Sequence, residues 1–319
     1  MKWENFVVVI FLLLASRLEA QQVPNVIENI DYLVTFCPEA SKSYGDDDFT
    51  QVFFFAIPES HTRPFYIRVY DPEVGGEIDA KHGGAYDSKF RYTVFGGKGC
   101  FSDEANQSVE PNNDLRKGVM LATKTFTNEA RYENGWYTFG PFNPKEGEYS
   151  PEQKARIFKI IAEGLSGDDG NLYRYFISQN VGANKAILGA NAFTYEYSFR
   201  MKSEPSSVAH LYPFLSRDVV SIKQHNFDFD SDGQILIYSV AKNRHVSATS
   251  GNGDWAEQTH EIVDREKNAS LDMQFVKAGN AANDMVVYIT NQYDKPVPFF
   301  AIPIGGKPAY DYNLQVKVK

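Results

Sequence analysis

The chain has 319 residues, with 41 acids against 32 lysines and arginines and a formal charge of -9. That balance argues against nucleic acid as a partner, because phosphate binding needs a concentrated basic surface, and against anionic membrane for the same reason. The length suits one large or two ordinary domains rather than a small stapled scaffold.

Residues 1–20, MKWENFVVVIFLLLASRLEA, read as a secretory signal peptide: an early Lys2, an apolar run from Phe6 to Ala15, then small or polar residues leading to Ala20. Cleavage is expected between Ala20 and Gln21, giving a secreted or periplasmic protein, retained at the surface if a partner holds it. The apolar run is short for a transmembrane helix, and no later stretch is long enough, so no span is expected after cleavage. An oxidising compartment would permit a disulfide between Cys37 and Cys100, the two cysteines.

From residue 31 onward the local signals are strands. The runs DYLVTF (31–36), QVFFFAI (51–57), FYIRVYD (65–71), RYTVFG (91–96), GVMLATKTFT (118–127) and GWYTFG (135–140) are aromatic and β-branched. Gly, Pro, Asn and Asp separate them. In FYIRVYD, Tyr66, Arg68 and Tyr70 alternate with Phe65, Ile67 and Val69, as expected for an antiparallel sheet with one covered face.

One helix is expected near 151–164. Ser150 would be its N-cap, Pro151 its first residue, and Ile157, Ile160, Ile161 and Leu165 its apolar stripe.

Strands resume at 171–178 and 192–201, and KSEPSS (202–207) reads as a turn or linker. Further strands are expected at 218–229, 234–241, 270–278, 284–291, 298–304 and 311–319. The pentapeptide FFAIP occurs twice, at 54–58 and 299–303. The expected fold is mainly β: tandem antiparallel, jelly-roll-like β-sandwich modules, one over 21–205 with the inserted helix and one over 206–319.

Two acidic stretches could bind a metal. In DFDSDGQ, Asp228, Asp230, Asp232 and Gly233 resemble the front half of an EF-hand calcium loop, with the Gln234 carbonyl at the next ligand position. The match stops there, because Ser239 stands where an EF-hand needs Glu, and QILIYSVA continues as a strand. The stretch is either a short acidic calcium turn or a plain Asx-turn. In YDPEVGGEIDAKHGGAYD (70–87), Asp71, Glu73, Glu77 and Asp79 could converge oxygens on calcium, with Gly75-Gly76 permitting a close turn; a solvated inter-strand loop is the alternative.

The segment FFFAIPESHTRPFYIRVYDP, within residues 51–79, resembles the opening of jelly-roll modules attached to secreted bacterial proteins, including pre-peptidase C-terminal domains. The resemblance implies an accessory or binding role and carries no catalytic residue.

No His-Glu-x-x-His pair joins the six histidines, and no Gly-x-Ser-x-Gly is present. Trp255, in SGNGDWAEQ, is the leading contact candidate, since a large ring in a loop suits recognition. Together these features point to an exported noncatalytic protein that binds a surface protein or polysaccharide, with calcium steadying its loops. The alternatives are a secreted glycan hydrolase using paired carboxylates and a cell-envelope structural or assembly protein that pairs through sheet edges.

Overall fold

The computed structural model describes residues 22–109 and 115–312. The expected signal peptide lies outside them, as do residues 313–319 of the last expected strand.

The architecture is mostly antiparallel β strands in two large, sandwich-like sheets of nine and seven strands, beside smaller sheets of four and two. In the nine-stranded sheet, Tyr32–Phe36 pairs with Gly170–Ser178 on one side and Glu196–Arg200 on the other. Glu196–Arg200 then pairs with Asp284–Asn291, which pairs with Ser221–Phe227 and through it with the edge strand Trp255–Glu261. Strands from both parts of the sequence thus share one sheet.

The seven-stranded sheet is built on Thr50–Pro58, Ala155–Ser166 and Lys89–Gly96. The four-stranded sheet centres on Gly233–Tyr238 and Asp272–Lys277. Tyr197, Phe199, Tyr173 and Tyr175 of the long sheet share one buried cluster with Phe53 and Phe158 of the seven-stranded sheet and Phe275 of the four-stranded one. Both smaller layers therefore pack on the same face of the long sheet.

The seam between its two parts depends on a side chain. Direct pairing of Tyr32–Phe36 with Glu196–Arg200 covers only Leu33 with Phe199 and Tyr32 with Arg200. Beyond it the Gln51 amide enters: its Nε2 donates to the carbonyls of Val34 (3.2 Å) and Ser198 (3.0 Å), and its Oε1 accepts from the Ser198 amide (3.3 Å). Gln51 is buried and stands in for a missing peptide partner, because backbone groups without water need one.

The repeated FFAIP acquires a place. One copy lies in Thr50–Pro58 and the other begins at Phe299–Phe300, and both flank Asn191–Thr194. Phe193 pairs with Phe54 on one side and Phe300 on the other, each ring 5.1 Å away.

The expected helix near 151–164 is a correction. Residues 155–166 are the strand Ala155–Ser166, and no α-helix occurs among the described residues. Its even residues Phe158, Ile160 and Ala162 enter the main core, while Ala155, Ile157 and Ile161 pack on the other face beneath Phe101, Val109 and Leu115. Burial on both faces puts apolar residues on both sides of the strand and removes the alternation that marks a half-exposed one. Ser150 serves a hairpin turn instead of a helix, its hydroxyl accepting from the Gln153 amide at 3.4 Å.

The expected disulfide is also corrected. Cys37 and Cys100 are free and buried, Cys37 in the main core and Cys100 beside Phe95 and Ile161 on the outer face of the seven-stranded sheet. They are not at bonding distance, because a layer of strands stands between them. Burial pushes their thiols up to about 12 and about 11.

Two outcomes follow for stability. Gln51→Leu should destabilise by about 3 kcal/mol in urea unfolding, since three buried hydrogen bonds to backbone are lost together. Adding a thiol reductant should leave the melting temperature unchanged, as checked by scanning calorimetry with and without reductant.

Candidate functional site

The loop that leaves strand Phe65–Tyr70 and enters Lys89–Gly96 carries an acidic cluster at each end. At the first, Asp71 and Glu73 meet Glu133, from the turn before strand Trp136–Phe142. At the second, Asp87 meets Asp168 and Asp169 of the Ala155–Ser166 to Gly170–Ser178 hairpin. In each group, ligand oxygens from all three residues lie within 4.8 Å of one another. Either could chelate a divalent cation.

Backbone geometry builds the first cluster. Asp71 sits in the left-handed region at φ 52° and is fully buried. Its Oδ1 accepts from the Asn134 amide at 2.6 Å, while Oδ2 is buried with no donor. Glu73 Oε2 accepts from the Glu129 amide at 2.7 Å, and Glu133 Oε1 from the Glu77 amide at 3.3 Å. Gly76, at φ +79°, takes a left-handed backbone that favours glycine, and a Cβ there would displace the Glu133 carboxylate from its place.

Burial first, then the charges of Glu133 and Glu73, push the Asp71 carboxyl up to about 7 against the opposing Asn134 amide. Glu73 is raised by burial and by sharing a hydrogen bond with Glu133. Of the other expected ligands, Glu77 is exposed and supplies the amide that holds Glu133. Asp79 is buried and its two oxygens accept from the amides of Gly75 (2.9 Å) and Leu172 (2.6 Å), so it organises the loop from within.

The Asp228–Gln234 stretch sends its carboxylates to different partners. Asp228 accepts from the Gly253 amide, and burial pushes it up to about 7. Asp232 pairs with the buried Lys277 ammonium and accepts from the Gly279 amide, which together hold it below its ordinary range against the effect of burial. Asp230 lines a cleft of about 370 Å³ with Asp228, the Arg200–Asp284 ion pair and the stacked Tyr44 and His82 rings, 3.6 Å apart. Gln234 is an exposed residue of the strand Gly233–Tyr238. These residues form no group of three convergent carboxylates among the described residues. Gly233 serves close strand approach, since a Cβ would overlap the Val276 carbonyl.

A different surface gathers aromatics. Trp255 opens the edge strand Trp255–Glu261 rather than sitting in a loop, and it is 41% exposed. Its Nε1 donates to Asp47 Oδ2 at 3.0 Å, and its ring lies 5.2 Å from Tyr288, which stacks on His225 at 4.2 Å. Period-two alternation places Trp255, Tyr288 and His225 on the outer face of the long sheet. Tyr288 and His225 continue into a cleft of about 440 Å³, whose other walls include Glu104, Gln107, Asp294 and Lys295.

No known family matches the chain, and no curated protein matches it. Among solved structures, a cryo-EM structure of a T=1 Penaeus vannamei nodavirus aligns with 90% of this chain and 85% of that one. Identity is 9% and the TM-score 0.14, a likeness that carries no argument.

Sequence reasoning missed Glu133, Asp168 and Asp169 as cluster members, and His225 and Tyr288 as ring neighbours of Trp255. The Gly75-Gly76 pair was the available signal for Glu133, since adjacent glycines mark a place where another group approaches the backbone. No helix among the described residues is long and apolar enough to cross a membrane.

The raised carboxyls set a pH dependence. Asp71, Asp46 and Asp228 have an ordinary value of 3.8 and are pushed to about 7, and burial pushes Glu28 from 4.5 to about 8. Their folded form binds protons more tightly, so their contribution is complete below the ordinary values and is lost as pH rises through about 7 to 8. In chelator-treated protein the melting temperature should fall across that window, and Asp71→Asn should flatten the fall, as read from melts at stepped pH.

Proposed function

We propose that this is an exported, noncatalytic β-sandwich protein that binds polysaccharide through the outer face of its long sheet. The observation that carries the reading is the row Trp255, Tyr288 and His225 leading into the 440 Å³ cleft. Aromatic faces accept the apolar faces of sugar rings, while the carboxylate, amide and ammonium groups of Glu104, Gln107, Asp294 and Lys295 suit hydroxyls. Burial lowers His225 below the ordinary histidine value against the opposing charge of Glu257, which favours a flat, uncharged ring. Calcium is the cofactor this reading implies, as a brace for the acidic loops rather than a contact to the glycan. The proposed location is outside the cytoplasm, where both calcium and polysaccharide are available.

The first carboxylate cluster does not suit hydrolysis, because Asp71 is fully buried and no glycosidic bond could be brought against it. The assembly reading keeps one favourable observation: the edge strand Val119–Phe126 exposes Val119 and Met120, at 56% and 60%.

Glycan-array binding followed by titration calorimetry tests the proposal. Trp255→Ala and Tyr288→Ala should each weaken binding about tenfold, equivalent to about 1.4 kcal/mol, without altering the melting temperature by more than a few degrees. Undiminished binding in both would move the site elsewhere, and release of reducing ends from a bound polysaccharide would replace the reading with hydrolysis.

A further inference from the structure

We infer that Asp71, Glu73 and Glu133 together hold one hard divalent cation, which ties the 71–87 loop to the turn before strand Trp136–Phe142. The inference rests on the proposed function only for the choice of calcium.

Calcium–oxygen distances are about 2.3 to 2.6 Å, so two oxygens on one ion lie at most about 5 Å apart. The 4.8 Å limit that encloses all three residues' ligand oxygens meets that requirement. Each carboxylate is already positioned by a backbone amide, from Asn134, Glu129 and Glu77 in turn, so little side-chain freedom remains to be lost on binding.

The deciding observation is Asp71 Oδ2. It is buried and has no hydrogen-bond partner, on a residue that belongs to the cluster. A buried carboxylate oxygen without a donor is costly unless something else satisfies it. The nearby ammonium and guanidinium of Lys124 and Arg131 are committed to Glu129. Arg174 lies over the rings of Tyr32 and Tyr70, and its charge acts on Asp71 through space without forming an ion pair with it. Among the described residues, no salt bridge reaches Asp71, Glu73 or Glu133.

The two competing sites lack this feature. Asp169 is as buried as Asp71, yet its oxygens accept from the Ser88 hydroxyl (2.7 Å) and the His82 amide (3.4 Å). Asp232 has Lys277 as counter-ion. All donors in the first cluster are oxygen, which selects calcium, magnesium or manganese over softer ions.

The test uses the full chain, stripped with chelator and titrated with calcium chloride in a calorimeter and in thermal melts. One binding event and a rise in melting temperature are expected. Both should vanish in Asp71→Asn, which keeps the oxygen that accepts from Asn134, and in Glu133→Gln, while Asp228→Asn retains them. Absence of heat and of any melting shift at millimolar calcium would overturn the inference, as would an unchanged response in both variants. Should either variant fail to fold, terbium luminescence in the wild-type chain decides: Trp136 lies 5.3 Å from Tyr70, beside Asp71, and should sensitise terbium that calcium then displaces. No sensitised emission would count against the site. Trp255→Ala should keep the calcium response whatever it does to glycan binding, so failure of one idea is distinguishable from failure of the other.

Discussion

The long sheet is continuous because the Gln51 amide occupies the place of a peptide group. Where Tyr32–Phe36 and Glu196–Arg200 cease to pair directly, its donor and acceptor meet Val34 and Ser198 from both sides. The same Nε2 lies 3.2 Å from the Tyr173 hydroxyl, which pairs with Thr35 Oγ1 at 2.9 Å. A buried polar network of this kind is favourable only when its members are satisfied, and a glutamine has the donor and acceptor the seam requires. An apolar residue of similar size would fill the space and leave the backbone unsatisfied. The register of the core depends on this: Phe53, two residues along the same strand, stacks edge-on against Tyr197 at 5.4 Å and Tyr175 at 5.7 Å.

A second constraint follows from the loops that cover the sheets. Lys159 is fully buried on the outer face of Ala155–Ser166, and its ammonium donates to the side chain of Asn106 and to the carbonyls of Leu115 and Lys117. A buried ammonium persists only with such a set of acceptors, and here it fastens the cover over Ile157 and Ile161. With both faces covered, apolar residues occupy both sides of the strand and no period-two pattern is left to read. The helical reading of 151–164 failed for that reason: cap-like Ser150 and Pro151 are equally suited to a hairpin turn, and Ile157, Ile160 and Ile161 are β-branched residues that favour strands. Polar–apolar alternation does not arise where no face meets water, whereas Phe65–Tyr70, with Tyr66 and Tyr70 only half-buried, kept a readable pattern.

How much of the site was legible divides along a similar line. Carboxylates within one loop are visible in sequence, so Asp71 and Glu73 were legible as oxygen donors. Glu133 lies about 60 residues away and joins them only because Phe65–Tyr70 pairs with Trp136–Phe142, a long-range contact no local pattern reveals. The Asp228–Asp232 spacing was the more regular signal and yields less convergence, because successive left-handed residues turn the acids apart and Lys277 claims Asp232. Regular spacing specifies which side chains are near one another along the chain; which of them find counter-charges is decided by tertiary contacts. Trp255 was legible as a large ring near the surface, but its partners Tyr288 and His225 come from neighbouring strands.

The acidic loop and the aromatic row are connected through the strand Glu196–Arg200. Arg200 and Asp284 are register partners across Glu196–Arg200 and Asp284–Asn291, joined by two hydrogen bonds of 2.8 and 2.7 Å. The Arg200 guanidinium also reaches the Ile78 carbonyl at 3.4 Å, inside the acidic loop, and four residues back along its strand Glu196 faces Tyr288. A bidentate pair of this geometry holds both side chains in one orientation. Arg200 thus connects the 71–87 loop to the strand pair that carries Tyr288. If the loop holds a cation and the row binds a glycan, as proposed above, this connection is the route by which the ion would serve a surface that does not contain it.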